Sequence, residues 1–145
     1  MKRCGTKFLT AIVLDTSAIF SVLLIENDSE SIASCLESNQ TRHVSAATLL
    51  EAFCVVRRPE LLSYRVRLRP LLDHLDLNIM PFDAPQLELA QAAYKLFGRG
   101  SGHPAGLNMG DCYSYALAKY LDLPLLFKGG DFTHTDIEPA LKTIA

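Results

Sequence analysis

Apolar residues recur along this chain in two rhythms. Phe8 to Leu14 and Leu123 to Phe127 are almost continuously hydrophobic and short, which predicts strands covered on both faces, as in the middle of a parallel sheet. Ala18 to Glu26 suits a buried helix with Thr16 or Ser17 as its cap, and Glu30 to Ser38 an amphipathic one with Ile32, Cys35 and Leu36 on one side. Arg42-His43-Val44 is a short strand, and Ser45 caps a helix over Ala46 to Arg57 whose broad apolar face is Leu49, Leu50, Phe53, Cys54 and Val56. Arg58-Pro59 stops that helix. Glu60 to Asp76 is helical again, with a start, break or kink near Pro70, and Leu77 to Phe82 alternates like a strand.

Asp83 and Pro85 open a helix over Gln86 to Phe97. Gly98 to Gly106, with four glycines in nine residues, predicts an irregular, mobile loop. A turn over Gly106 to Gly110 then runs into a largely apolar helix that carries Asp111 in its first turn. Thr133 to Ala145 reads as a loop and a final strand or helix. Strands alternating with helices in this order predict a single α/β domain over residues 1–145, three layers deep, with a central, mainly parallel sheet.

Composition narrows the class. The 145 residues are 49% hydrophobic and 21% charged, which excludes a disordered chain, and the net charge of −2 does not advertise a nucleic-acid partner, although a local basic stripe would serve one. Cys4, Cys35, Cys54 and Cys112 have no zinc-ligand spacing, so a reduced, cytoplasmic protein is expected. Asp15 interrupts the first apolar run before a credible cleavage site, leaving residues 1–7 as a flexible leader, and no stretch approaches the roughly 20 residues of a membrane span.

The chemistry lies in four acids. Asp15 directly follows the first strand, Asp131 closely follows the last buried one, Asp111 begins a buried helix, and Glu51 stands inside an apolar helix. Each alone has an ordinary explanation as a cap, a turn residue or a solvent-facing side chain. Together they belong to one place, because ligands of open α/β sheets gather outside the carboxyl ends of the strands. Four neighbouring carboxylates repel one another unless a cation joins them, and all-oxygen sites suit Mg²⁺ or Mn²⁺. The reaction class so indicated is phosphodiester hydrolysis.

Four stretches carry a family resemblance: Ile12 to Ala18, Ser45 to Ala52, His103 to Cys112 and Phe127 to Phe132. They resemble the successive motifs of PIN-domain ribonucleases, specifically the VapC toxins of bacterial toxin–antitoxin pairs, and the resemblance covers essentially the whole chain. It implies a PIN fold, a Mg²⁺- or Mn²⁺-dependent endoribonuclease, a homodimer and a VapB-type antitoxin. Asp15, Glu51, Asp111 and Asp131 match the family's acidic positions, and Ser17 the hydroxyl beside the first. Gly130 departs from the pattern, which has Asn before the final acid; the loss of that amide is expected to loosen the loop around Asp131. The leader is a second departure.

Other candidates are secondary. Arg57, Arg58, Arg65 and Arg69 belong to a segment with five arginines and one glutamate, suited to RNA phosphates, to an antitoxin or to plain solvation. His103 fixes its loop or touches substrate rather than acting as a base. Tyr113, Tyr115 and Tyr120 are expected in the core or a dimer contact. The rival functions are a non-catalytic module that binds RNA or an antitoxin, and a metal-dependent phosphatase. Asp15-Thr16-Ser17 lacks the second aspartate of haloacid-dehalogenase-like phosphatases, which ranks the last reading low.

Overall fold

The computed structural model of the chain describes residues 10–141. The expected leader, residues 1–7, lies outside them. Four strands, β1 (Ala11–Leu14), β2 (Thr41–Ser45), β3 (Asn78–Met80) and β4 (Leu125–Leu126), form one sheet in the order β3-β2-β1-β4. Every pairing is parallel, with Val13 opposite both His43 and Leu125. The three-layer α/β fold expected from the pattern is the fold observed.

Side-chain alternation along β1 separates two cores. Ile12 and Leu14 point into a layer of four helices, α1 (Thr16–Leu23), α2 (Ser29–Ser38), α3 (Ala46–Val55) and α4 (Arg65–Leu75). Val13, fully buried, points the other way into α5 (Ala84–Phe97) and α6 (Met109–Leu121). Leu126 and Leu125 on β4 divide in the same manner. The chain therefore leaves β1 in one direction through α1 to α4, and returns to its other side through α5 and α6. β1 and β4 bound a topological switch point, the crevice in which such sheets place ligands.

Several boundaries differ from the sequence pattern for local reasons. α1 starts at Thr16 because Asp15, rather than Thr16 or Ser17, is its cap: the carboxylate accepts the Ser17 N–H at 3.1 Å. The apolar face of α3 is split, with Leu49, Ala52 and Val56 buried while Leu50 and Cys54 are exposed. Pro59–Leu61 forms one 3₁₀ turn, and α4 begins only at Arg65, so Pro70 lies inside that helix and does not start it. The glycine-rich loop is irregular but stapled. Leu107 and Phe97 pair across its base at 2.9 Å, Arg99 and Leu107 at 3.0 Å, and the Ala105 N–H donates to His103 Nδ1 at 3.1 Å. Past the 3₁₀ turn Asp131–His134, the chain runs beside β4, where Leu125 bonds Glu138 and Ala140, and so covers that sheet edge.

Burial makes these layers testable. Leu126→Ala, at a side chain with no exposure, is expected to cost about 2–5 kcal/mol in urea unfolding. Val66→Ala, at a position 79% exposed, should change stability by less than about 0.5 kcal/mol.

Candidate active site

Asp15 leaves β1 where the backbone turns into α1, and its side chain is almost fully buried, 4% exposed. One carboxylate oxygen, Oδ2, accepts from the Ser17 N–H and from Ser17 Oγ at 2.6 Å; the other, Oδ1, accepts from Ser114 Oγ at 2.5 Å. Ser17 is held from behind, since its Oγ accepts the Lys128 N–H at 3.0 Å. That bond ties the turn after β4 to the start of α1. The Lys128 ammonium adds a second tie across the same gap, at 2.5 Å from Glu26.

α6 brings the other groups to Asp15. Asn108 and Asp111 form a reciprocal capping box, the Asp111 N–H donating to Asn108 Oδ1 at 2.8 Å and the Asn108 N–H to Asp111 Oδ2 at 3.0 Å. Asp111 is thus a cap, as the plain reading allowed, and also a member of the acidic group. Gly110 lies against Glu51 so closely that an added Cβ would fall 1.7 Å from Oε2. Only a residue without a side chain leaves room for that carboxylate. Glu51 is half-buried and accepts a hydrogen bond from Thr16 Oγ1. Asp131 is exposed at the start of its 3₁₀ turn.

The charges of Asp15, Asp131 and Glu51 all act on Asp111. Burial, and then the charges of Asp15, Asp131 and Glu51, push the Asp111 carboxyl up to about 7, against the opposing bond from the Asn108 N–H. Burial raises Asp15 as well, opposed by the Ser114 and Ser17 hydroxyls and the Ser17 and Thr16 N–H groups, and burial together with Asp15 raises Glu51. Among the described residues, no three His, Cys, Asp or Glu side chains are grouped so as to hold a metal ion.

A PIN domain family model matches residues 12–138. Ribonuclease VapC28 of Mycobacterium tuberculosis is 45% identical over 131 residues, covering 89% of this chain and 97% of its own length. Ribonuclease VapC42 of the same organism is 41% identical over 128 residues, covering 88% and 98%. The chain belongs to the VapC family of PIN-domain ribonucleases.

Solved structures of VapC proteins share its fold. VapC20 of M. tuberculosis, described as a sarcin-ricin loop cleaving toxin, superposes with a TM-score of 0.67 at 15% identity, covering 87% of this chain and 95% of its own. VapBC2 from Rickettsia felis, bound to a DNA fragment from its promoter, gives 0.65 at 15%, covering 90% and 96%.

Within this VapC chain the secondary candidates separate. Arg65 is spent on architecture: its guanidinium donates to the Val56 carbonyl at 3.2 Å and the Arg57 carbonyl at 2.8 Å, closing the end of α3. Arg69 lies over the Phe53 ring at 4.9 Å. Arg58 and Arg57 are both exposed, and the charge of Arg58 acts on Glu51. His103 packs edge-on against Phe97 at 4.9 Å and fixes its loop. Tyr115 is buried with its hydroxyl on Asp136 at 2.7 Å; Tyr113 is half-buried and Tyr120 exposed.

The turn around Gly130 is anchored without the expected amide. Phe132 is buried against Phe127, and Thr133 Oγ1 donates to the Gly130 carbonyl at 2.6 Å. Thr16, Gly110 and Ser114 are site residues whose roles the pattern did not disclose. For Ser114 a signal existed: it lies three residues after Asp111 and therefore on the same face of α6.

An acid whose folded pKa lies above its unfolded value holds more protons folded than unfolded, so its contribution is favourable at low pH and is lost as pH rises. For Asp111 that window runs from about 4 to about 7, and Asp15 and Glu51 act in the same direction. In a chelator, Tm is expected to fall by roughly 5–10 °C across this window. Asp111→Asn, which keeps an oxygen for the Asn108 N–H, should flatten the slope; an unchanged slope in a thermal-melt series would contradict the assignment.

Proposed function

We propose that this VapC protein is a Mg²⁺- or Mn²⁺-dependent endoribonuclease that hydrolyses RNA phosphodiester bonds, with Asp15, Glu51, Asp111 and Asp131 as its cation-holding and catalytic acids. The observation that carries the reading is geometric: Asp15, buried after β1, is bonded by Ser114 of the same helix whose first turn holds Asp111, and Glu51 lies against Gly110 of that turn. The donor set is all oxygen, and Gly110 clears the space beside Glu51. Mg²⁺ keeps several waters and needs only one or two protein carboxylates, so these oxygen ligands would suffice to hold it. When bound, the cation would activate water and offset the charge on the scissile phosphate.

The protein's own residues do the rest. Ser17 and Ser114 hold the Asp15 carboxylate, the Asn108 box holds Asp111, and Thr16 holds Glu51. Arg58 stands beside the acids as the guanidinium placed to meet the RNA backbone, with Arg57 next to it. EDTA or Asp15→Asn is expected to reduce cleavage of a labelled RNA by at least about 100-fold. Equal cleavage under either condition would overturn the cation-dependent reading, and RNA bound but left uncut by the wild-type chain would favour the non-catalytic RNA-binding reading.

The partners follow from the same family assignment. A homodimer is supported by Leu87, Tyr94 and Met109, each about half exposed or more, around an apolar hollow of about 530 Å³ between α5 and α6. A VapB-type antitoxin is the expected inhibitor. A toxin–antitoxin complex from Klebsiella pneumoniae is among the structures sharing this fold, with a TM-score of 0.59 at 20% identity. Residence in the cytoplasm agrees with an RNA substrate, and no helix among the described residues is long and apolar enough to cross a membrane. Leu87→Asp with Met109→Asp should shift the protein to a monomer in sedimentation velocity; an unaltered sedimentation coefficient would place the dimer contact elsewhere.

A further inference from the structure

Ser114 is fully buried in the middle of α6. A serine there ordinarily turns its hydroxyl back to the carbonyl four residues earlier, or gives way to alanine, as at Ala116 and Ala118. This one instead reaches across the crevice to Asp15 Oδ1 at 2.5 Å, a bond spanning 99 residues of sequence. Behind it stands Thr48 of α3, also fully buried, with Oγ1 3.5 Å from Ser114 Oγ. A carboxylate offers about four acceptor positions. The two bonds from Ser17 fall on Oδ2 and the one from Ser114 on Oδ1. The Ser17 bonds alone grip one oxygen, and a group gripped at one oxygen can still swing; the Ser114 bond at the second oxygen removes that freedom.

We propose that Ser114 is a positioning residue that locks the Asp15 carboxylate in the orientation needed for cation binding. This assignment rests on the cation-dependent reading above. Ser114 touches neither substrate nor cation and acts only through Asp15. Thr48 keeps the Ser114 hydroxyl from rotating back along its own helix.

Calorimetric titration with Mn²⁺ is the test, run on the wild-type chain and on Ser114→Ala. The variant is expected to bind Mn²⁺ about 10–100-fold more weakly while retaining a cooperative melt and its affinity for an RNA oligonucleotide in EDTA. Its lost cleavage should return when Mn²⁺ is raised by the same factor. Ser114→Cys, with a weaker donor of similar size, should fall between the two and carries the comparison if the alanine variant does not fold. Mn²⁺ affinity equal to wild type in the folded variants, or lost activity that excess Mn²⁺ does not restore, overturns the role of Ser114 alone. A wild-type chain that binds no Mn²⁺ overturns the cation reading together with it.

Discussion

A carboxylate buried at the end of a parallel sheet is costly to ionise, and this structure places Asp15 and Asp111 there side by side. The local architecture around the crevice answers that constraint. Asp15 is surrounded by donors from α1 and α6, Asp111 is seated in its own capping box, and the turn after β4 is tied through Lys128 to the hydroxyl that grips Asp15. These bonds lower the cost without removing it, because the neighbouring acids add repulsion. What remains is a group of acids with raised carboxyl pKa values, in a chain whose net charge is −2.

α6 concentrates this task. Over five residues it contributes the glycine against which Glu51 rests, the acid Asp111 and the hydroxyl on Asp15. The spacing works because residues three and four apart share a helix face. The same helix turns its other residues into the core with α5 and ties its far half to the closing segment through Tyr115 and Lys119, both bonded to Asp136. Displacement of one helix would therefore disturb the acids as a group.

The arginine-rich segment shows how one composition divides into separate uses. Arg65 and Arg69 are consumed in joining α3 to α4, and Arg58 acts on Glu51. Residue type alone did not distinguish them, because a guanidinium satisfies a backbone carbonyl, an aromatic face or an anion equally well. Their order along the chain matters less than where α3 ends.

By itself the sequence determined the class of fold, the parallel sheet and the chemical character of the site. Continuous apolar runs can be buried only on both faces, and acids placed directly after such runs must lie at the strand ends. The motif order extended this to the family, and on that order Asp15, Glu51, Asp111 and Asp131 are proposed as the acids of the site. Tertiary structure decided what pattern cannot encode: that Asp15 caps its own helix, that Gly130 sits in a turn anchored by Phe132 and Thr133, and that Gly110, Thr16 and Ser114 support the acids. Periodicity reports which face of an element is buried, whereas a hydrogen bond across 99 residues depends on how two elements are set against each other.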